Sequence, residues 1–141
     1  MKTLEPTLEI EQSLRNINFI NGLPGFPNAH LFEITPISKD MKPFCILKSK
    51  EVEGLEFVAI PPHYIFPEYE VELDDNTVKR LEIEDSSQSF TLVIIKLATP
   101  PKVPTANLLG PIIINIQSGL AMQVVLHNSE YQPQFPLTII N

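Results

Sequence analysis

The prolines constrain this chain before any other feature does. There are fourteen, and Pro24, Pro27, Pro36, Pro43, Pro61, Pro62, Pro67, Pro100, Pro101, Pro104 and Pro111 fall between short apolar runs rather than inside them. Proline lacks the N–H that a ladder or a helix interior needs, so these positions mark turns, sheet edges and strand starts. Their spacing leaves no room for long helices. Between them, residues 29–35 (AHLFEIT), 56–60 (EFVAI), 69–73 (YEVEL) and 111–117 (PIIINIQ) alternate apolar and polar with period two, as half-buried strands do. Residues 89–98 (SFTLVIIKLA) are apolar on both faces at Leu92, Val93, Ile94 and Ile95, which predicts a central strand covered on both sides.

One segment has helical spacing instead. In residues 74–84 (DDNTVKRLEIE), Asp74, Asp75 and Asn76 can cap a first turn, and Val78 and Leu81 lie three apart; this predicts one short helix near residues 75–83. No repeat or Gly/Ser linker divides the chain, so residues 1–141 read as a single all-β, mainly antiparallel, barrel-like domain. Residues 1–14 are expected as a flexible or edge segment, and 137–141 as a tail.

A net charge of −7 bounds the partners. The field of such a molecule repels phosphate backbones and anionic lipid and attracts a basic partner. The ten Lys and Arg residues are scattered without interleaved aromatics, so direct nucleic-acid binding is not expected. No apolar run approaches the roughly 18 residues of a membrane span, and the lone Cys45, in the apolar run PFCILK, reads as a small buried hydrophobe in a reducing compartment. The expected location is the cytoplasm, away from membranes. His30, His63 and His127 lack metal-ligand spacing, and neither a phosphate-cradling glycine loop nor a nucleophile elbow occurs. No metal, cofactor or catalytic residue is therefore expected.

Residues 104–127 (PTANLLGPIIINIQSGLAMQVVLH) are apolar enough for a core, yet Asn115 and Gln123 interrupt them. A three-residue hairpin loop of Gln117, Ser118 and Gly119 would place Ile114 opposite Met122. Ile112, Ile114, Ile116, Leu120, Met122, Val124 and Leu126 would then form the core face, and Ile113, Asn115, Ala121, Gln123, Val125 and His127 the outer one. On this reading the two amides face outward or toward a partner, and a half-solvated sheet face accounts for them equally well. The run PEYEVELDD places Glu68, Glu70 and Glu72 on one side of a strand. Paired carboxylates of that kind occur in glycosidases, but a charged, aggregation-resistant edge is the commoner meaning, and an acidic docking surface lies between the two.

Taken together, FINGLPGF (19–26), FVAIPPHYIFPEYEVEL (57–73), TANLLGPIIIN (105–115) and MQVVL (122–126) resemble the flagellar assembly factor FliW family, in the family's order and over about residues 17–137. Gln134 and Met122 depart from residue types common in that family. The resemblance implies a small β-barrel-like cytoplasmic protein without enzymatic activity. It would bind flagellin, and would bind the RNA-binding translational regulator CsrA so as to relieve repression of flagellin translation. Glu68, Tyr69, Glu70, Glu72, Asn107, Ile113, Asn115, Gln123 and Val125 are the candidate partner-binding residues. Two other readings stay open at this stage: a hydrolase-like enzyme using a Glu68/Glu70 carboxylate pair, and a nucleic-acid-binding barrel.

Overall fold

Seven strands close into a ring, and the other described elements pack on the outside of it. The computed structural model describes residues 2–3, 13–127 and 130–137. In chain order the strands are β1 (Lys2–Thr3), β2 (Leu14–Phe19), β3 (Leu31–Pro36), β4 (Cys45–Ser49), β5 (Glu56–Ile60), β6 (Glu72–Leu73), β7 (Ser89–Lys96), β8 (Thr105–Ala106), β9 (Ile112–Asn115), β10 (Leu120–Gln123) and β11 (Phe135–Pro136). The single α-helix among the described residues, α1, spans Asp75–Arg80. Around the ring the order is β2, β3, β4, β5, β7, β9, β10 and back to β2. Every pairing is antiparallel except the closing one, in which β10 lies parallel to β2. The eight-residue β7 is long enough to hold β9 along Ser89–Leu92 and β8 along Ile95–Lys96, and β11 extends β8.

Alternation along each strand sends one set of side chains into the ring. Ile17, Phe19, Phe32, Ile34, Cys45, Leu47, Ala59, Phe90, Leu92, Ile112, Ile114 and Ala121 fill it, all nearly free of solvent. Phe19 and Phe32 meet edge to face at 5.1 Å, the arrangement favoured by the ring quadrupole. Cys45 is sealed here as expected, its thiol pushed up to about 12 by burial.

The outward face of the ring is covered in turn. Ile60, Val93, Ile95, Ile113 and Met122 form a second core with Val71, Leu73, Leu81, Ile83, Leu108, Leu126, Tyr131 and Leu137. Both faces of β7 are therefore buried, as its sequence predicts. Helix α1 belongs to this outer layer. Asp74 caps it by accepting from Thr77 N at 2.7 Å, and it ends early, at Arg80, in a paired C-terminal turn: Glu82 N donates to Lys79 O and Ile83 N to Val78 O. That turn needs a left-handed residue, and Glu82 supplies it at φ 58°.

Two expectations are corrected. The β9–β10 register is slipped by one: Ile114 pairs with Ala121 and Ile113 with Met122. The cause is Asn115, whose carbonyl accepts from Gly119 N at 2.8 Å and whose Oδ1 accepts from Gln117 N and Ser118 N. These bonds lengthen the loop to residues 116–119, so Ile116 is exposed rather than core. Gly119 is left-handed as expected, at φ 79°; a Cβ there would lie 2.6 Å from Asn16 O of β2. Second, the strand read over 69–73 is reduced to Glu72–Leu73, with Glu68 in the preceding turn. At the N-terminus, Lys2–Thr3 pairs antiparallel with β6; the rest of 1–14, up to residue 12, lies outside the described residues, as does the 138–141 part of the tail.

Candidate functional site

The alternation of residues 68–74 survives the loss of regular strand structure. Tyr69 is half-buried, Val71 and Leu73 are buried, and Glu68, Glu70, Glu72 and Asp74 are exposed. The buried members anchor the segment to the outer core. Tyr69 donates its hydroxyl to Leu108 O at 2.5 Å, and its ring packs against Tyr131 at 4.5 Å. Burial, with the neighbouring Tyr131, pushes the Tyr69 hydroxyl well above the ordinary phenol range. Tyr131 in turn accepts from Glu70 N at 2.9 Å. The acidic side chains are thereby displayed from a pinned backbone.

Opposite them runs Met122–His127, and between the two lies a groove of about 520 Å³. Glu70, Glu72, Asp74 and Thr77 line one wall, and Gln123, Val124, Val125, Leu126 and His127 the other, with Met122, Leu73 and Tyr131 beneath. Val125 is 70% exposed, the highest exposure among the large apolar residues described. The hydrogen bond from Thr77 N, with the nearby His127 as a lesser cause, holds the Asp74 carboxyl below its ordinary range. An open groove with three carboxylates and an exposed apolar wall suits a basic, partly apolar protein surface.

Of the nine candidates, this groove gathers Glu70, Glu72, Gln123 and Val125. Glu68 is exposed but does not line it, so the Glu68/Glu70 pair is not brought together there. Asn107 lies elsewhere, its Oδ1 accepting from Leu109 N and Gly110 N in the loop before β9. Two candidates are buried rather than displayed at the surface. Ile113 is fully buried in the outer core because β9 is covered on both faces. Asn115 is 2% exposed, and besides capping its own turn it donates from Nδ2 to Leu81 O at 2.9 Å and Glu82 O at 3.1 Å. It clips the end of α1 to the barrel. Asp74, Thr77, His127 and Tyr131 were missed as site residues. Asp74 at least carries a signal: it continues the every-second-residue acidic pattern of Glu70 and Glu72. Among the described residues, no group of three His, Cys, Asp or Glu side chains could hold a metal ion, and no helix is long and apolar enough to cross a membrane.

Comparison with known proteins agrees with this architecture. The family model described as FliW protein matches residues 2–137. The flagellar assembly factor FliW of Bacillus licheniformis is 40% identical over 126 residues, 89% of this chain and 87% of the relative. That of Bacillus subtilis is 40% identical over 121 residues, covering 86% and 84%, and that of Anoxybacillus flavithermus is 38% identical over 136 residues, covering 94% and 92%. A crystal structure of the flagellar assembly factor FliW superposes with a TM-score of 0.79 at 36% sequence identity, over 92% of this chain and 89% of that one. With its closed seven-stranded barrel and a match that spans nearly all of its length, the chain belongs to the FliW family.

Proposed function

We propose that this chain is a non-enzymatic, cytoplasmic flagellar assembly factor that works by binding proteins: it holds flagellin, and it binds the translational regulator CsrA and relieves repression of flagellin translation. Membership of a family whose relatives are flagellar assembly factors supports the assembly role. The acidic groove supports the binding reading, because its carboxylates and exposed Val125 form a surface for a partner that is basic through its need to hold RNA. Held beside that partner's RNA surface, Glu70, Glu72 and Asp74 would also repel incoming phosphates. Free flagellin, by competing for this chain, would release CsrA and close a feedback loop.

The test is a titration of CsrA, bound to a flagellin leader RNA, with this protein, followed by flagellin. RNA release that flagellin reverses is the expected result; no binding to either partner would remove the proposal. The Glu70→Lys/Glu72→Lys double variant should release RNA less well. Release unchanged by it would take the groove out of the CsrA contact while leaving the partner in place.

A further inference from the structure

Asn107 and Gln123 were singled out in the sequence, and the structure brings them together at one end of the barrel over Gly110. A Cβ added at Gly110 would lie 3.0 Å from Asn107 Nδ2 and 3.1 Å from Gln123 Nε2, so two amide nitrogens converge on one point. Their orientation is set by the hydrogen-bond network. Asn107 Oδ1 is used by Leu109 N and Gly110 N, which leaves Nδ2 pointing away from them. Gln123 spends one N–H on Gly110 O and keeps the other. Both residues line a pocket of about 260 Å³ whose other walls are Pro24, Ile94, Lys96, Thr105, Pro133 and Gln134. Among the described residues, Asn107 Nδ2, Lys96 Nζ and the Thr105 hydroxyl donate to no protein acceptor.

The charge of this lining runs against that of the protein as a whole. The protein carries a net charge of −7, yet these walls hold one cation, three primary amides, a hydroxyl and no carboxylate. Unused N–H donors beside a single lysine ask for an acceptor of one negative charge. A phosphate dianion would bring a second negative charge that no other cation in this lining meets. Pro24, Ile94 and Pro133 offer apolar contact beside the polar end, and the volume is below the roughly 300–1,000 Å³ of sites for drug-sized ligands. We propose that this pocket binds a carboxylate carried on a short branched apolar stem, its oxygens taking N–H groups from Asn107 and Gln123 and its charge facing Lys96. The pocket adjoins the acidic groove through Gln123, which lines both, but its chemistry differs, and Asn107 and Lys96 belong to the pocket alone.

Two sources can present that group: a free aliphatic acid and the C-terminus of a peptide. The measurement is an NMR titration that follows the side-chain amide resonances of Asn107 and Gln123. The probes are isobutyrate, isobutyramide, an N-acetyl dipeptide ending in valine, and that dipeptide's C-terminal amide. The acids are expected to shift both amide pairs saturably below about 10 mM, at least tenfold more tightly than the amides. A dipeptide acid at least tenfold tighter than isobutyrate identifies a chain terminus as the source; equal affinity identifies the free acid. Asn107→Asp keeps the acceptor for Leu109 N and Gly110 N but turns the donor into a repelling oxygen, and Lys96→Met removes the charge. Each should weaken the acids at least tenfold while the backbone spectrum stays that of the folded protein. Acids and amides binding alike, no saturable shift with either acid, or full affinity in a folded Asn107→Asp variant would overturn the proposal.

Discussion

The two cores of this protein are built on different principles. The barrel interior is walled by seven strands whose ladder closes on itself, and its filling is apolar apart from the Cys45 thiol and the buried Ser49 at the end of β4. The outer core has a sheet on one side only; on the other lie two-residue strands, turns and a six-residue helix. Elements that short are marginal by themselves. Side-chain clips hold them: Tyr69 to Leu108, Tyr131 to Glu70, and Asn115 to Leu81 and Glu82. The interior is thus one cooperative object, while the outer layer can be loosened clip by clip. The acidic groove lies in that outer layer, on the side of the molecule that local changes can reach.

Substitutions in the two regions should therefore fail differently. The largest effect is expected from Phe32→Ala, which empties a fully buried site packed against Phe19; it should cost roughly 3–5 kcal/mol in urea denaturation, with all probes moving together. Asn115→Ala removes a buried amide that serves two backbone carbonyls and two backbone N–H groups. The loss should be roughly 2–3 kcal/mol. Hydrogen exchange should speed up across residues 75–83 ahead of the barrel strands, and uniform acceleration would mean that the two cores are one. Glu82→Gly should act in the opposite direction, since glycine adopts the left-handed backbone without strain; a gain of roughly 0.5–1 kcal/mol is expected in the same assay.

The smallest effect concerns pH. The folded Asp74 carboxyl lies below its ordinary value of 3.8, so its contribution to stability is complete above that value and fades as the pH falls through the folded value. An asparagine in its place would still cap the helix but would not titrate. Asp74→Asn should therefore flatten the acid limb of the thermal midpoint against pH; an unaltered limb would show that Asp74 is not a source of it.

The barrel was legible because its determinants are local and periodic. Proline punctuation and the two-sided apolarity of residues 89–98 gave the strands, and the Asp74 cap gave the start of the helix. The β9–β10 register was not legible, because it depends on how Asn115 spends its hydrogen bonds, and two of its partners, Leu81 and Glu82, lie more than thirty residues away. The assumption that one face of that hairpin meets solvent fails at Ile113 and Asn115, which the outer core and the end of α1 cover. The acidic wall of the groove was visible as the Glu70 and Glu72 alternation, whereas its opposite wall had to be placed by the chain's path after β10.

The parallel pairing of β10 with β2 has a consequence for the chain as it is made. Leu120 pairs with Asn18, roughly a hundred residues away, so the ring cannot shut from local contacts, and such non-local pairings slow folding. At a synthesis rate of roughly 5–20 residues per second, the open edge of β2 waits about 5–20 seconds for its mate to be translated. For that interval on the ribosome, Asn18 and Phe19, which the finished barrel pairs with β10, present an open edge to their surroundings.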